Sequence, residues 1–135
     1  MPTPPDTAPT PAPDEGGQAL VEIALCLPIL CTLLLAIVQY GVMIWHDMEL
    51  TSATRDGARR AVVARVEPNP TQAVIETVRS SLDTVDPGDV SVTVTGGWDR
   101  DDRVTVRAST PYALDIFGLE VWSGSLRSTS TVRIG

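Results

Sequence analysis

The feature that most constrains the fold of this chain is an apolar run of 27 residues, numbered 19–45. Within the run Glu22 is the only charged residue, and Gln39 is the only other strongly polar one. A helix of that length, rising about 1.5 Å per residue, exceeds the ~30 Å hydrocarbon core of a bilayer. The run therefore predicts a membrane-spanning helix. Because an ionisable group inside such a helix is costly, Glu22 is expected to have a charged partner.

Gly17 and Gln18 stand just before the run, so Glu22 becomes the fifth residue if the chain is cut after Gly17. This spacing resembles the processing site of type IV pilin-like proteins, in which a membrane peptidase cuts after a glycine that precedes an apolar helix. The segment 17–28, GQALVEIALCLP, looks specifically like the TadE-like pseudopilins of tight-adherence (Flp) pili. The segment 53–61, ATRDGARRA, is similar to a later part of the same family.

The resemblance implies a structural protein. It implies a minor pseudopilin that a prepilin peptidase cuts between Gly17 and Gln18, with Glu22 then paired with the free amine of Gln18 on a neighbouring subunit. The implied partners are that peptidase, other pilin-like subunits, the pilus assembly platform and membrane lipid. The implied location is the cytoplasmic (inner) membrane, as a single-pass protein with its C-terminal domain outside, and after assembly either the base of the pilus or the extracellular pilus itself.

Residues 1–17 form an acidic leader with six prolines and no apolar run. Such a segment cannot bury a core, so it is expected to be disordered. It has no basic n-region, which distinguishes it from an ordinary secretory signal. Pilin leaders are usually short and basic, so this leader departs from their pattern. The alternative interpretation is an uncleaved single-span anchor that presents a small adhesion or partner-binding domain.

Two features are expected to govern how the long helix packs. Pro28 lies inside the apolar run and removes one backbone hydrogen bond, which favours a kink. Beyond the run, apolar and small residues recur at three- to four-residue spacing, which predicts an amphipathic extension ending before Pro68. In that extension Ala53, Gly57 and Ala61 form a row of small residues that lets another backbone approach closely. The approaching element is either this chain's own C-terminal domain or a helix of another subunit.

The charge pattern and the resemblance give opposite orientations in the membrane. Four arginines follow the apolar run, whereas the N-terminal flank is acidic. The positive-inside rule alone would put the C-terminal domain in the cytoplasm. We follow the resemblance, which puts that domain outside, because cleavage after Gly17 needs this residue at the cytoplasmic face.

The C-terminal part of the chain predicts a small α+β domain. An amphipathic helix is expected from Thr71, as its N-cap, to about Val85. Alternating valines predict strands near 90–95 and 104–109, followed by a loop over 110–124 and a third strand over 126–134. The predicted fold class is α+β. Its parts are a leader over 1–17, a long N-terminal transmembrane helix with an amphipathic extension over 18–66, and a short helix with a three-strand antiparallel sheet over 67–135.

Composition and motifs give no sign of an enzyme, a cofactor or a nucleic-acid partner. The net charge is -7, and the ten basic residues form no cluster of the kind that binds nucleic acid. With a single histidine, the chain has no Ser-His-Asp set, phosphate-binding loop or paired metal ligands. Neither catalytic nor metal residues are predicted. Cys26 and Cys31 lie about 140° apart around the helix and are expected to be packing residues, with an intersubunit disulfide as the alternative.

Overall fold

In the computed structural model the described residues form two helices followed by one three-stranded sheet. The structure describes Met1, residues 15–116 and residues 118–135. Helix α1 spans Glu15–Ala64 and helix α2 spans Pro70–Ser80. The strands are β1 (Ser91–Gly96), β2 (Arg103–Ile116) and β3 (Leu119–Arg133). A long apolar helix, a short helix and an antiparallel sheet make up the α+β arrangement that the sequence predicts, and the prediction is confirmed.

The chain divides into two compact units, Met1–Leu34 and Leu35–Gly135. The second unit contains α1 from residue 35 onward, α2 and the whole sheet. The boundary between the units therefore lies inside α1. Most of the predicted leader lies outside the described residues, and α1 begins at Glu15.

The helix ends differ from the predicted ones by a few residues. Helix α1 ends at Ala64, and α2 ends at Ser80 rather than near Val85. The prediction of Thr71 as the N-cap of α2 is wrong. Asn69 occupies that position without a side-chain capping bond, and Pro70 begins the helix. Proline is favoured at the first helical position because its fixed φ suits a helix and its missing N–H has no helical partner there.

The sheet is an antiparallel meander in the order β1-β2-β3. Strand β1 pairs with β2 only as far as Ser91 opposite Ser109, whereas β2 and β3 stay paired to Ile116 opposite Leu119. We call the part of β2 and β3 that extends beyond β1, residues 111–116 and 118–124, the distal hairpin. The predicted loop over 110–124 is therefore wrong, because most of that segment is strand.

The core of the second unit lies between the helices and one face of the sheet. Leu50 of α1, Val74 and Val78 of α2, and Val104 and Val106 of β2 have no exposed surface. Fully burying an aliphatic side chain of this kind contributes about 1.5–3 kcal/mol. The opposite face of the sheet carries polar side chains, including a Thr105–Thr131 hydroxyl pair 3.0 Å apart. One apolar and one polar face is the usual arrangement of an antiparallel sheet covered on one side.

Candidate functional site

The first turns of α1 carry the residues predicted for processing and assembly. Gly17 and Gln18 are helical and exposed. Glu22, four residues after Gln18, lies one turn further along on the same side of the helix. Its side chain is exposed beside Val21 and Ile23, which are 62% and 60% exposed. Within the described residues, neither of the two ion pairs includes Glu22.

The rest of the first unit presents apolar side chains on every side of α1. From residue 20 to residue 34, each leucine, isoleucine and valine is at least 53% exposed. In the described part of the chain, one helix is long and apolar enough to cross a membrane, and it covers Gly16–Ala64. No residue of its most apolar stretch is buried inside the protein. A surface of this kind suits lipid, because water would have to solvate every one of these side chains.

Helix α1 passes through Pro28 without ending. Pro28 has no N–H to donate to the carbonyl four residues earlier, so the helix lacks one of its bonds here. One turn later the Thr32 hydroxyl donates to the Pro28 carbonyl across 2.8 Å. Cys26 and Cys31 flank this point as exposed free thiols. The helix is therefore locally weaker here than in its other turns.

The row of small residues lies in the second unit, in the part of α1 that meets the domain. Ala53 and Ala61 have no exposed surface, and Gly57 is buried between them. A Cβ atom on Gly57 would lie 2.4 Å from Val78 Cγ2 and 3.5 Å from Val106 Cγ1. The row therefore brings α1 close to this chain's own α2 and β2. It is separate from the processing residues, which lie in the first unit.

Glu49 of α1 holds the loop between α2 and β1. One oxygen of its carboxylate accepts the backbone N–H groups of Asp83, of Thr84 (2.7 Å) and of Val85 (3.4 Å). Its other oxygen is buried without a hydrogen-bond partner. Burial raises the pKa of Glu49, but the backbone and hydroxyl donors of this loop outweigh that effect, so the pKa is lowered overall. The carboxylate is therefore charged at neutral pH.

A second set of polar contacts joins α1 to the distal hairpin. The side-chain amide of Gln39 donates to the Asp115 carbonyl, and the Tyr112 hydroxyl donates to the Gln39 carbonyl across 3.2 Å. The rings of His46 and Tyr112 meet edge to face, 5.8 Å between centroids. Sequence reasoning missed these contacts and those of Glu49. The partners lie 34 to 76 residues apart, and no local pattern signals such a pairing.

The carboxylates of the polar turn between β1 and β2 form contacts within the chain. Asp101 pairs with Arg133 at 2.9 Å, and Asp102 accepts the backbone N–H of Asp99 at 3.2 Å. Among residues 15–116 and 118–135, no three histidine, cysteine or acidic side chains come together as metal ligands.

The comparisons with known proteins bear on the N-terminal part of the chain. A family model described as "TadE-like protein" matches residues 17–59. The match starts at Gly17, includes Glu22 and Pro28, and ends two residues before Ala61. It confirms the resemblance seen in the sequence, whereas α2 and the sheet lie outside it. No curated protein and no solved structure matches the chain.

Proposed function

We propose that this chain, TadE-like over residues 17–59, is a minor pilin-like subunit for the assembly of tight-adherence (Flp-type) pili. The observation that carries the proposal is where the family match falls. It starts at the glycine of the predicted processing site and covers the carboxylate at the fifth position beyond it. Both residues are exposed on a helix whose apolar surface suits a membrane.

In this proposal a prepilin peptidase hydrolyses the peptide bond between Gly17 and Gln18. The cut removes the leader and leaves Gln18 with a free, positively charged α-amine. Gly17 has no side chain, so the peptidase can approach the backbone closely at this point. The new α-amine of Gln18 lies at the start of the apolar helix. This amine and the carboxylate of Glu22 are then the positive and the negative group nearest the bilayer.

Processing is tested by two valine substitutions at neighbouring glycines, in cells that contain the cognate prepilin peptidase. We expect Gly17→Val to accumulate as the full-length protein on immunoblots, because a branched side chain blocks the backbone at the cleaved bond. Gly16→Val is the matched control and should still be cut. Equal processing of the two variants would place the cleavage elsewhere or exclude it.

The proposed role of Glu22 is to pair with the Gln18 amine of a neighbouring subunit during assembly. A carboxylate left unpaired inside a membrane costs roughly 2–3 kcal/mol or more, whereas docking against a cation removes much of that cost. Glu22→Ala should therefore insert into the membrane normally but assemble poorly. Glu22→Gln keeps the shape without the charge and should show the same defect. Normal piliation in both variants, with normal membrane content, would contradict the pairing.

We further propose that the protein is a single-pass protein of the cytoplasmic membrane with its C-terminal domain outside. Sister pilin-like subunits and the pilus assembly platform would then meet it from the membrane and from the outer side. A reporter enzyme that is active only outside the cytoplasm, fused after Gly135, tests the orientation. Activity supports the proposed topology, and its absence alongside a stable fusion would support the orientation favoured by the arginines after the run.

The alternative function is an uncleaved anchor that presents the α+β domain to a partner. The acidic, Pro-rich leader favours it, because that leader lacks the basic residues usual in pilin leaders. The two functions differ in whether residues 1–17 are present in the mature protein.

A further inference from the structure

We propose that the distal hairpin lies in the headgroup layer of the membrane that α1 crosses, on the side of the C-terminal domain. The partner is the lipid bilayer itself, and the contact surface is formed by Leu119, Val121 and Trp122 of β3. The inference requires only that α1 spans a membrane. It therefore holds for a processed pilin-like subunit and for an uncleaved anchor alike.

The position of the hairpin along α1 is fixed by contacts within the second unit. The side-chain amide of Gln39 donates to the backbone carbonyl of Asp115. The Tyr112 hydroxyl donates to the backbone carbonyl of Gln39 across 3.2 Å. Further along the helix, the His46 ring packs against Tyr112. The hairpin therefore runs beside residues 39–46 of α1, with its turn end at the level of Gln39.

The length of the apolar run gives the depth of Gln39 in the membrane. Starting at Ala19, about 20 residues at ~1.5 Å each fill a ~30 Å hydrocarbon core, so the core ends near Val38. Gln39 is then the first residue beyond it, and residues 39–43 cover the roughly 5–8 Å of the headgroup layer on this side, with Trp45 at its outer edge. The hairpin turn therefore lies at the boundary between hydrocarbon and headgroups.

The exposed side chains at this level are those that a membrane interface accommodates. On the hairpin, Leu119 is 72%, Val121 61% and Trp122 47% exposed. On α1 at the same level, Tyr40 and Trp45 are 59% and 63% exposed. Tryptophan and tyrosine concentrate in the headgroup layer because their rings are apolar and carry one polar group. The hairpin and α1 thus both present exposed apolar side chains at this level.

Other features of the hairpin limit it to the headgroup layer. Asp115 and Glu120 face each other across the hairpin, and both are exposed. Carboxylates are costly in hydrocarbon, and so are the unpaired backbone groups of a two-stranded edge. The hydrogen bond to the Asp115 carbonyl also gives the polar side chain of Gln39 a partner at this depth, where an unpaired amide is costly.

The test uses the three tryptophans of the full-length chain as depth probes. Three variants each keep one of Trp45, Trp98 and Trp122, with phenylalanine at the other two positions. Each is reconstituted in phosphatidylcholine–phosphatidylethanolamine vesicles that contain a lipid with a nitroxide near the headgroup. Trp98 is the internal control. It lies just before the start of the 14-residue strand β2, so it is about 40 Å from the hairpin turn at ~3.3 Å per residue.

We expect the nitroxide lipid to quench Trp122 and Trp45 to a similar extent, and at least about twofold more than Trp98. Quenching of Trp45 shows that α1 is in the bilayer, independently of any processing. A Trp122 side chain that the nitroxide lipid quenches no more than Trp98, and that an aqueous agent does quench, would overturn the proposal. A Trp122 side chain that is shielded from both quenchers until the protein is diluted in lipid would also overturn the proposal. That result would mean that a second copy of this chain, and not lipid, covers Leu119, Val121 and Trp122.

A second measurement applies if the tryptophan variants do not fold. In a background with both native cysteines changed to serine, an environment-sensitive dye is attached to Leu119→Cys or to Thr129→Cys. Both positions are exposed on β3, but Thr129 lies far from the turn. A blue-shifted emission at position 119 alone, upon transfer from detergent to vesicles, agrees with the proposal. Equal emission at the two positions contradicts it.

Discussion

Replacing Gly57 by alanine tests the close approach between α1 and the domain. The new methyl group would lie 2.4 Å from Val78 Cγ2, and Val78 is fully buried. Overpacking of this kind costs about 1–3 kcal/mol, whereas a glycine-to-alanine change inside a helix gains about 0.8–1 kcal/mol. The net expectation is a loss of about 1 kcal/mol in the free energy of unfolding of the second unit.

The effect of Gly57→Ala on the free energy of unfolding should change sign when Val78 is shortened to alanine. In a Val78→Ala background the space that the methyl group needs is empty, so only the gain in helix propensity remains. Gly57→Ala should then stabilise the unit by about 1 kcal/mol, giving a coupling of roughly 2 kcal/mol between the two sites. The assay is urea unfolding of the full chain in detergent micelles, followed by the near-ultraviolet circular dichroism of the tryptophans.

Gly41 provides the matched control in the same helix. Apart from its chain neighbours and the backbone of the adjacent helix turns, no atom of the described chain lies within 4 Å of a Cβ atom at this position. Gly41→Ala should therefore cause no loss of stability in either background. If Gly57→Ala raised stability equally with valine or alanine at position 78, the packing described here would be refuted.

Two further predictions concern polar contacts of α1. Glu49→Gln should lower the stability of the second unit by about 1–2 kcal/mol at pH 7, because a neutral amide accepts hydrogen bonds from the three N–H groups less strongly than a carboxylate does. Since the pKa of Glu49 is lowered in the folded state, its contribution is present above the pKa of the unfolded chain and is lost as the pH falls through the lowered value. The two proteins should therefore converge in stability in urea titrations as the pH falls below the lowered pKa of Glu49, and a difference independent of pH would contradict the argument. Thr54→Val should cost about 1–3 kcal/mol, because the buried Ser128 hydroxyl loses its partner at 2.9 Å, and a Ser128→Ala background should remove most of that cost.

The helices and the central strands could be predicted from the sequence because their signals are local. The apolar run and the spacing of small residues in α1 follow from helix periodicity, and the alternating valines of β1 and β2 follow from strand periodicity. The distal hairpin could not be predicted in this way. Pro111, Gly118 and Gly124 are typical of loops, yet each has a place in a hairpin.

The structure of the sheet explains why these three residues fit into the hairpin. Beyond Ser109, β2 pairs with no further strand on the β1 side among the described residues, so Pro111 occupies a strand edge where a missing N–H is tolerated. Gly118 reverses the chain with a φ of 78°, a conformation that glycine adopts without steric cost. A Cβ atom on Gly124 would lie 2.6 Å from the Trp122 ring. These are tertiary reasons, which local sequence patterns do not carry.

The candidate site likewise has one part that the sequence predicts and one part that only the folded structure shows. Gly17, Gln18 and Glu22 are close in sequence, so their spacing predicts a processing and pairing site, and the family match includes all three positions. The roles of Glu49 and Gln39 depend on loops and strands far along the chain, so only the folded structure connects them with their partners.

The most direct test of the central proposal is the intact mass of the membrane-extracted protein, expressed with and without a cognate prepilin peptidase. A processed pilin-like subunit predicts the loss of residues 1–17 only when the peptidase is present, with Gln18 as the new N-terminus. A full-length mass under both conditions would contradict the proposal and support the uncleaved anchor.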